Sequence, residues 1–361
     1  MQARPELVPG TPLMPALPPD RLLAARLSAQ LLAGPPAADP TAVAERLLAV
    51  QAQDPRGVRL AVRARTRGLT VADVDRALSE ERSLLISWLN RGTLHLVRSE
   101  DYFWLHALTT PQLRAANERR LRQEGVSPGD ADRGVALVVR ALEREGPLAR
   151  GELREVLEAA GIPTAGQAFV HVMMLASLRG LVVRGPVKEG DHCLVLTSDW
   201  VGTGPRAIDR DRALAEVARR YLGGHGPAGE RDLARWAGIP LRDARAGLNA
   251  IAGQLAHLAG GLVDLTRRAP VHDLPPPKLL GAFDPAAVGW RSREFLLADH
   301  EPAIVSGGLF RPFALLRGRA AATWKLAEGH VVLEPLKRIS RADRQALDTE
   351  GRDVERYLAA G

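Results

Sequence analysis

The sequence predicts an α+β fold in which helix-rich units recur along the chain, each closed by a β-hairpin, with a small β-rich subdomain at the C-terminal end. Three observations carry this expectation. A Gly-Pro block occurs twice, the hydrophobic period switches from helical to alternating after each copy, and from Val271 a Pro-rich stretch leads into strand patterns. With 361 residues, 46% of them hydrophobic, the chain has room for two or three domains with a core in each.

Taken in order, residues 1–19 hold several prolines and no signal-type apolar core, and read as a flexible lead-in. Short amphipathic runs at 21–32, 41–50, 55–67 and 71–78 predict helices, with Asp54-Pro55 as N-cap and first position of the third. At the joint before it stand two uncharged amides, Gln51 and Gln53. In extended backbone, side chains two apart point the same way, so the pair could hold one small molecule between them; the bland alternative is that they cap the neighbouring helices. Further on, Thr93, His95 and Val97 alternate with Leu94 and Leu96, which predicts a strand with one buried face and one face lining a cleft.

Gly146-Pro147-Leu148-Ala149-Arg150-Gly151-Glu152-Leu153 recurs 80 residues later as Gly226-Pro227-Ala228-Gly229-Glu230-Arg231-Asp232-Leu233, and Ala160-Gly161-Ile162-Pro163 recurs as Ala237-Gly238-Ile239-Pro240. Each block sits between a helix (131–145, 211–222) and a longer helix (164–178, 241–257). Hairpin patterns then follow, at 180–196 and, shorter, at 255–266. That order is a winged helix; a pair of helical hairpins is the competing reading. If the longer helices enter a major groove, Gln167, His171, Arg179, Arg242, Arg245 and Asn249 are candidate contacts. Each also reads as a solvated surface residue, and His171 as a core histidine. The helical runs from Arg21 onward, followed by 87–97 with a strand at Thr93 to Val97, fit a third, diverged unit. The C-terminal stretch predicts strands at 313–317, 320–326 and 331–336, then a helix to Tyr357.

Lys and Arg number 49 against 42 Asp and Glu, a net charge of +7 that suggests an anionic partner such as nucleic acid. Arginine dominates, since Lys188, Lys278, Lys325 and Lys337 are the only lysines. The single cysteine, Cys193, excludes an intrachain disulfide and a cysteine zinc site. No apolar run approaches the ~18 residues that span a bilayer, and the expected compartment is the cytoplasm, on the nucleoid. No nucleophile elbow, phosphate loop or metal-ligand spacing supports an unrelated hydrolase.

The blocks Val50-Gln51-Ala52-Gln53-Asp54-Pro55, Arg91-Gly92-Thr93-Leu94-His95, Leu279-Leu280-Gly281-Ala282-Phe283-Asp284-Pro285, Trp290-Arg291-Ser292-Arg293, Gly318-Arg319 and Thr323-Trp324-Lys325 occur in an order that resembles the bacterial tandem winged-helix DNA glycosylases, the AlkZ and YcaQ/AlkX group. The resemblance runs from about Arg21 to Tyr357. It implies three winged helices forming a C-shaped, basic, concave surface for duplex DNA, with a glutamine-apolar-glutamine or glutamine-apolar-aspartate motif in the cleft. Gln51 and Gln53 fill both motif positions and mark the crosslink-unhooking branch, whose substrates are azinomycin-type interstrand crosslinks and whose setting is repair or self-resistance of a toxin producer. A catalytically needed hairpin is also implied, either the loop 306–311 or the turn about Gly318. Arg91, His95, Arg291, Arg293, Phe310 and Arg311 become candidate cleft residues.

Glutamine is no base near neutral pH, but a purine alkylated at N7 or N3 is already cationic and leaves readily. What remains is orienting a water and stabilising an oxocarbenium-like transition state, which two amide carbonyls suit. The expected enzyme is a monofunctional, monomeric glycosylase without cofactor or metal, acting on double-stranded DNA that carries alkylated or crosslinked purines. No lysine stands near the amides in sequence to form a Schiff base. The expected segments are a first winged helix over 20–125, a second over 126–205, a third over 206–272 and the β-rich subdomain over 273–361. The competing function is a winged-helix transcriptional regulator without catalysis.

Overall fold

The computed structural model describes residues 13–188, 190–204 and 208–359, and these group into two compact units. One joins the N-terminal segment up to Val74 with the segment from Asp209 onward, and the other is Asp75–Ile208. Helices and strands occur together in both, as the α+β class requires.

In the first unit the opening helices are Pro19–Ala29, Pro40–Leu47 and Pro55–Arg63, and Val71–Ser79 carries the boundary. Proline opens the first three, where its missing N–H costs nothing. The second helix is shorter than the 41–50 predicted, for a reason given below. Residues 1–12 of the predicted lead-in lie outside the described residues. Leu13–Met14 forms a short strand beside Leu255–Leu258, parallel to it, and the latter pairs antiparallel with Leu262–Leu265. Helices Arg210–His225, Glu230–Ala237 and Leu241–Ala250 precede that hairpin, in the predicted order. The last stops at Ala250, where a 3-10 turn over Ala252–Gln254, containing Gly253, replaces the predicted final turns.

The C-terminal part of this unit is a four-stranded antiparallel sheet in the order His330–Pro335, Arg319–Ala327, Phe313–Leu316, Lys278–Leu280. Its two faces are buried against different cores. Leu280, Phe313 and Leu315 join Leu23 and Leu27 on one side; Leu279, Ala314 and Trp324 join Leu60, Leu347 and Val354 of the helix Arg341–Ala359 on the other. Neighbouring residues thus divide between the two cores as the pleat demands.

In the second unit, Thr93–Arg98, Leu84–Leu89, Val182–Lys188 and Asp191–Leu196 run antiparallel in that order. Helices Pro128–Glu145, Arg150–Ala159 and Ala168–Leu178 lead into the second hairpin as predicted. One expectation fails here. Thr93–Arg98 has no open face: Leu94 is 6%, His95 2%, Leu96 0% and Val97 0% exposed. Alternation with Thr and His mimicked a half-buried strand, but both faces are covered, as in strands buried within a domain.

Candidate active site

The amide pair follows an abrupt reversal of the chain. The helix Pro40–Leu47, capped by Asp39 accepting from the Ala42 N–H at 2.7 Å, ends at Leu48 with φ 63° and ψ −47°. The Ala49 N–H donates to the Leu47 carbonyl at 2.8 Å, so Leu48 centres a γ-turn of the strained kind, rare for any residue with a Cβ. Leu48 is fully buried, and its packing holds the turn. The predicted continuation to residue 50 stops there, and the chain runs extended through the two-residue strand Val50–Gln51.

Gln51 is 5% exposed and Ala52 4%, whereas Gln53 lies at the surface where the chain bends into Asp54. The pair therefore spans the edge of the interior, with Gln51 buried and Gln53 exposed. Asp54 is the adjacent carboxylate, and it is committed. Its side chain accepts the Gly57 N–H at the start of the helix Pro55–Arg63.

The first turn of that helix rests on the block Gly281-Ala282-Phe283-Asp284. A Cβ at Gly57 would collide with the Ala282 carbonyl oxygen, and one at Gly281 would lie 3.0 Å from the Gly57 Cα, so both positions need glycine for close approach. Phe283, at φ 58°, packs its ring on Phe310 with centroids 5.2 Å apart, and the Arg293 guanidinium lies 5.1 Å from the Phe310 centroid. The segment after the glutamines and the hairpin Val305–Ser306/Leu309–Phe310 are thus anchored on the same four residues. Asp284 takes no part in open chemistry. It is fully buried, receives both terminal nitrogens of the equally buried Arg65 at 2.9 and 2.8 Å, and caps the helix Pro285–Val288.

The two candidate hairpins differ in placement. At the Gly318 turn a Cβ would stand 2.7 Å from Leu27 and 3.2 Å from Leu23 and Leu274, so the turn is packed into the core. Gly307 and Gly308 meet nothing within 4 Å, and Leu309 is 70% exposed.

The remaining candidates scatter. Arg293 is half-buried, donating to the Ala287 carbonyl at 2.6 Å and to Glu301 at 2.8 Å. Arg291 and Arg311 are exposed, held through backbone N–H bonds to Asp232 at 3.0 Å and to the Ile304 carbonyl at 2.8 Å. Arg242 is exposed, with Asp243 3.3 Å away, and Arg245 on the same helix makes a two-pronged contact with Glu230 at 2.9 and 2.8 Å. Asn249 and Gln167 are exposed. In the second unit Arg179 pairs with Asp132, and Arg91 sits half-buried in the turn between two strands. Burial, reinforced by the Arg91 charge, pushes the His95 imidazole down to about 3, so it is neutral at physiological pH. His171 is half-buried with Nδ1 2.7 Å from the Asn117 amide oxygen, and burial lowers its pKa too. Trp290 and Trp324, both motif residues, are scaffold: their indole N–H groups donate to the His225 carbonyl at 3.0 Å and the Leu280 carbonyl at 2.9 Å.

Sequence reasoning missed the meeting of Phe283 with Phe310, 27 positions apart in the chain. Consecutive glycines at 307 and 308 were the only local sign that a tight hairpin presents Phe310. Among the described residues no cluster of three His, Cys, Asp or Glu could hold a metal, and no helix is long and apolar enough to cross a membrane.

Comparison with known proteins gives the chain its family. The family model described as DNA glycosylase AlkZ-like matches residues 44–357. An interstrand DNA cross-link repair glycosylase from Streptomyces sahachiroi is 26% identical over 339 residues, covering 87% of this chain and 89% of that protein. The solved structure of Streptomyces sahachiroi DNA glycosylase AlkZ superposes with a TM-score of 0.76 at 24% identity, covering 95% of this chain and 97% of that one, which is a likeness of fold. The chain belongs to the AlkZ-like DNA glycosylase family and is a DNA glycosylase, a hydrolase of N-glycosyl bonds.

Proposed function

We propose that the enzyme is a monofunctional glycosylase for N-alkylated purines that also unhooks interstrand crosslinks of the azinomycin type, in repair or in self-resistance, with Gln51 and Gln53 orienting the attacking water. The observation that carries this reading is the commitment of the nearby carboxylates. Asp284 is fully buried against Arg65, and Asp54 accepts the Gly57 N–H as the cap of the next helix, so both motif-block carboxylates already serve structural roles. Amide dipoles remain, and they suffice only for a leaving group that already bears positive charge. The strained γ-turn at Leu48 fits a joint whose geometry is fixed ahead of the reaction. The cross-link repair role of the Streptomyces sahachiroi relative supports the substrate class.

The repeated helix, helix, helix, hairpin order supports winged-helix units on a concave basic surface, and the hairpin Val305–Phe310 is the one we assign to the DNA cleft, since the Gly318 turn is inside the core. The protein is proposed to act as a cytoplasmic monomer on duplex DNA. Family membership favours this enzyme over a winged-helix regulator.

Base release from duplexes carrying N7-methylguanine, an interstrand crosslink or uracil tests the proposal. The expected order places both cationic lesions far ahead of uracil, with an abasic strand left intact. Release of uracil as fast as 7-methylguanine, or strand scission with release, would contradict it.

A further inference from the structure

Within the first unit, bordered by the helices Pro40–Leu47 and Arg210–His225 and by the stretch that follows the strand Leu262–Leu265, lies an open cavity of about 540 Å³. It is lined by five arginines, Arg46, Arg219, Arg220, Arg267 and Arg268, against two carboxylates, Glu45 and Asp264. The floor is small and apolar: Ala29, Ala37, Ala42, Leu222 and Gly223, where a Cβ would meet nothing within 4 Å. Three of the arginines are held by the protein. Arg219 grips Glu216 at 2.6 Å, Arg220 donates to the Glu45 carbonyl at 2.7 Å, and Arg268 pairs with Asp264 and donates to the Ala25 carbonyl at 3.1 Å.

Arg46 and Arg267 differ. Neither has a carboxylate or carbonyl partner among the described residues; Arg46 is half-buried at the end of the helix Pro40–Leu47 and Arg267 is exposed at the rim. Arg46 and Arg267 thus bring two uncompensated positive charges to one cavity, and planar guanidinium donors match phosphate oxygens in pairs. A cavity of this size exceeds one phosphate and admits a phosphate with part of the sugar or base attached.

We infer that this cavity is a phosphate-binding site that takes a backbone phosphate of a nucleic-acid strand, with Arg46 and Arg267 as its unpaired donors. The choice of a strand as carrier rests on the DNA-acting reading above; the phosphate site itself rests on the arginines. Arg46 also ends the helix that turns at Leu48 into Val50–Gln51, so a phosphate held there would fix the strand relative to the backbone leading to the amide pair.

Calorimetric titration with inorganic pyrophosphate at low salt tests the site. Wild type should bind, the double variant Arg46→Gln/Arg267→Gln should bind at least about tenfold more weakly, and Arg144→Gln/Arg338→Gln, which removes equal charge elsewhere, should match wild type. Melting curves accompany each variant, and should the double variant melt early, Arg267→Gln alone, at an exposed rim position, should still weaken binding about threefold. No binding by wild type, or equal binding by pocket and control variants, would overturn the site. Undamaged duplex should then displace pyrophosphate in competition; displacement by deoxyadenosine monophosphate but not by duplex would overturn the strand as carrier. Neither arm depends on base release, so failure of the glycosylase reading is recognised separately.

Discussion

Two of the hairpins in the C-terminal region, those turning at Gly307-Gly308 and at Arg317-Gly318, share a turn and differ in everything around it. Gly307 and Gly308 have φ of 57° and 84°, Arg317 and Gly318 of 48° and 73°, so both make the turn with two consecutive left-handed residues that suits tight hairpins. One turn faces open space beside a leucine that is 70% exposed, on strands of two residues each; the other is buried against Leu23 and Leu27 and continues into a nine-residue strand. Turn chemistry determines the bend, and packing determines whether the bend supports the fold or remains available to a substrate.

Breaking the buried turn should cost most. Gly318→Val forces a β-branched residue into φ 73° and into Leu27, and about 3 kcal/mol or more of stability should be lost in urea unfolding. Breaking the buried Arg65–Asp284 pair that holds the shared anchor should come close: Asp284→Ala leaves a buried guanidinium uncompensated, at about 3 kcal/mol. Acid should weaken the same interior. His225, stacked on Tyr221 and contacting Trp236 and Trp290, is held by burial at about 3, below its unfolded value near 6.5. The unfolded chain therefore binds the proton first. Stability is complete above about pH 6.5 and falls by about 1.4 kcal/mol per pH unit toward pH 3 from this group, and His225→Phe should flatten that slope.

The exposed hairpin should behave in the opposite sense. Phe310→Ala loses the Phe283 and Arg293 contacts, about 1 kcal/mol, yet base release should fall by far more than stability explains. Leu309→Ser should change stability by less than about 0.5 kcal/mol while slowing release from duplex DNA about tenfold. Equal rates for Leu309→Ser and wild type would remove the hairpin from the cleft.

Much of this was legible in the sequence for physical reasons. Proline after Asp at 39–40 and 54–55 marks helix starts because cap and missing N–H are local properties. The doubled Gly-Pro blocks and the change of period gave the helix and hairpin order because periodicity records which face is buried. What escaped was tertiary. Nothing local says that a leucine at 48 will adopt φ 63°, since only surrounding packing holds it there. Nothing local distinguishes the covered strand Thr93–Arg98 from a half-open one when histidine is kept neutral by burial. Motif residues such as Asp284, Trp290 and Trp324 stand out equally in sequence whether they touch substrate or support the fold; burial and partners separate the two. The pairing of Arg65 with Asp284 spans 219 positions and left no local trace.

The central claim is that an amide pair, rather than a carboxylate, supports hydrolysis at the joint after Leu48. Single-turnover release of 7-methylguanine by Gln51→Ala and Gln53→Ala, with urea unfolding of each, tests it most directly. Each variant should lose about a hundredfold or more in rate, with the exposed Gln53→Ala retaining wild-type stability. Wild-type rates in both folded variants would contradict the claim.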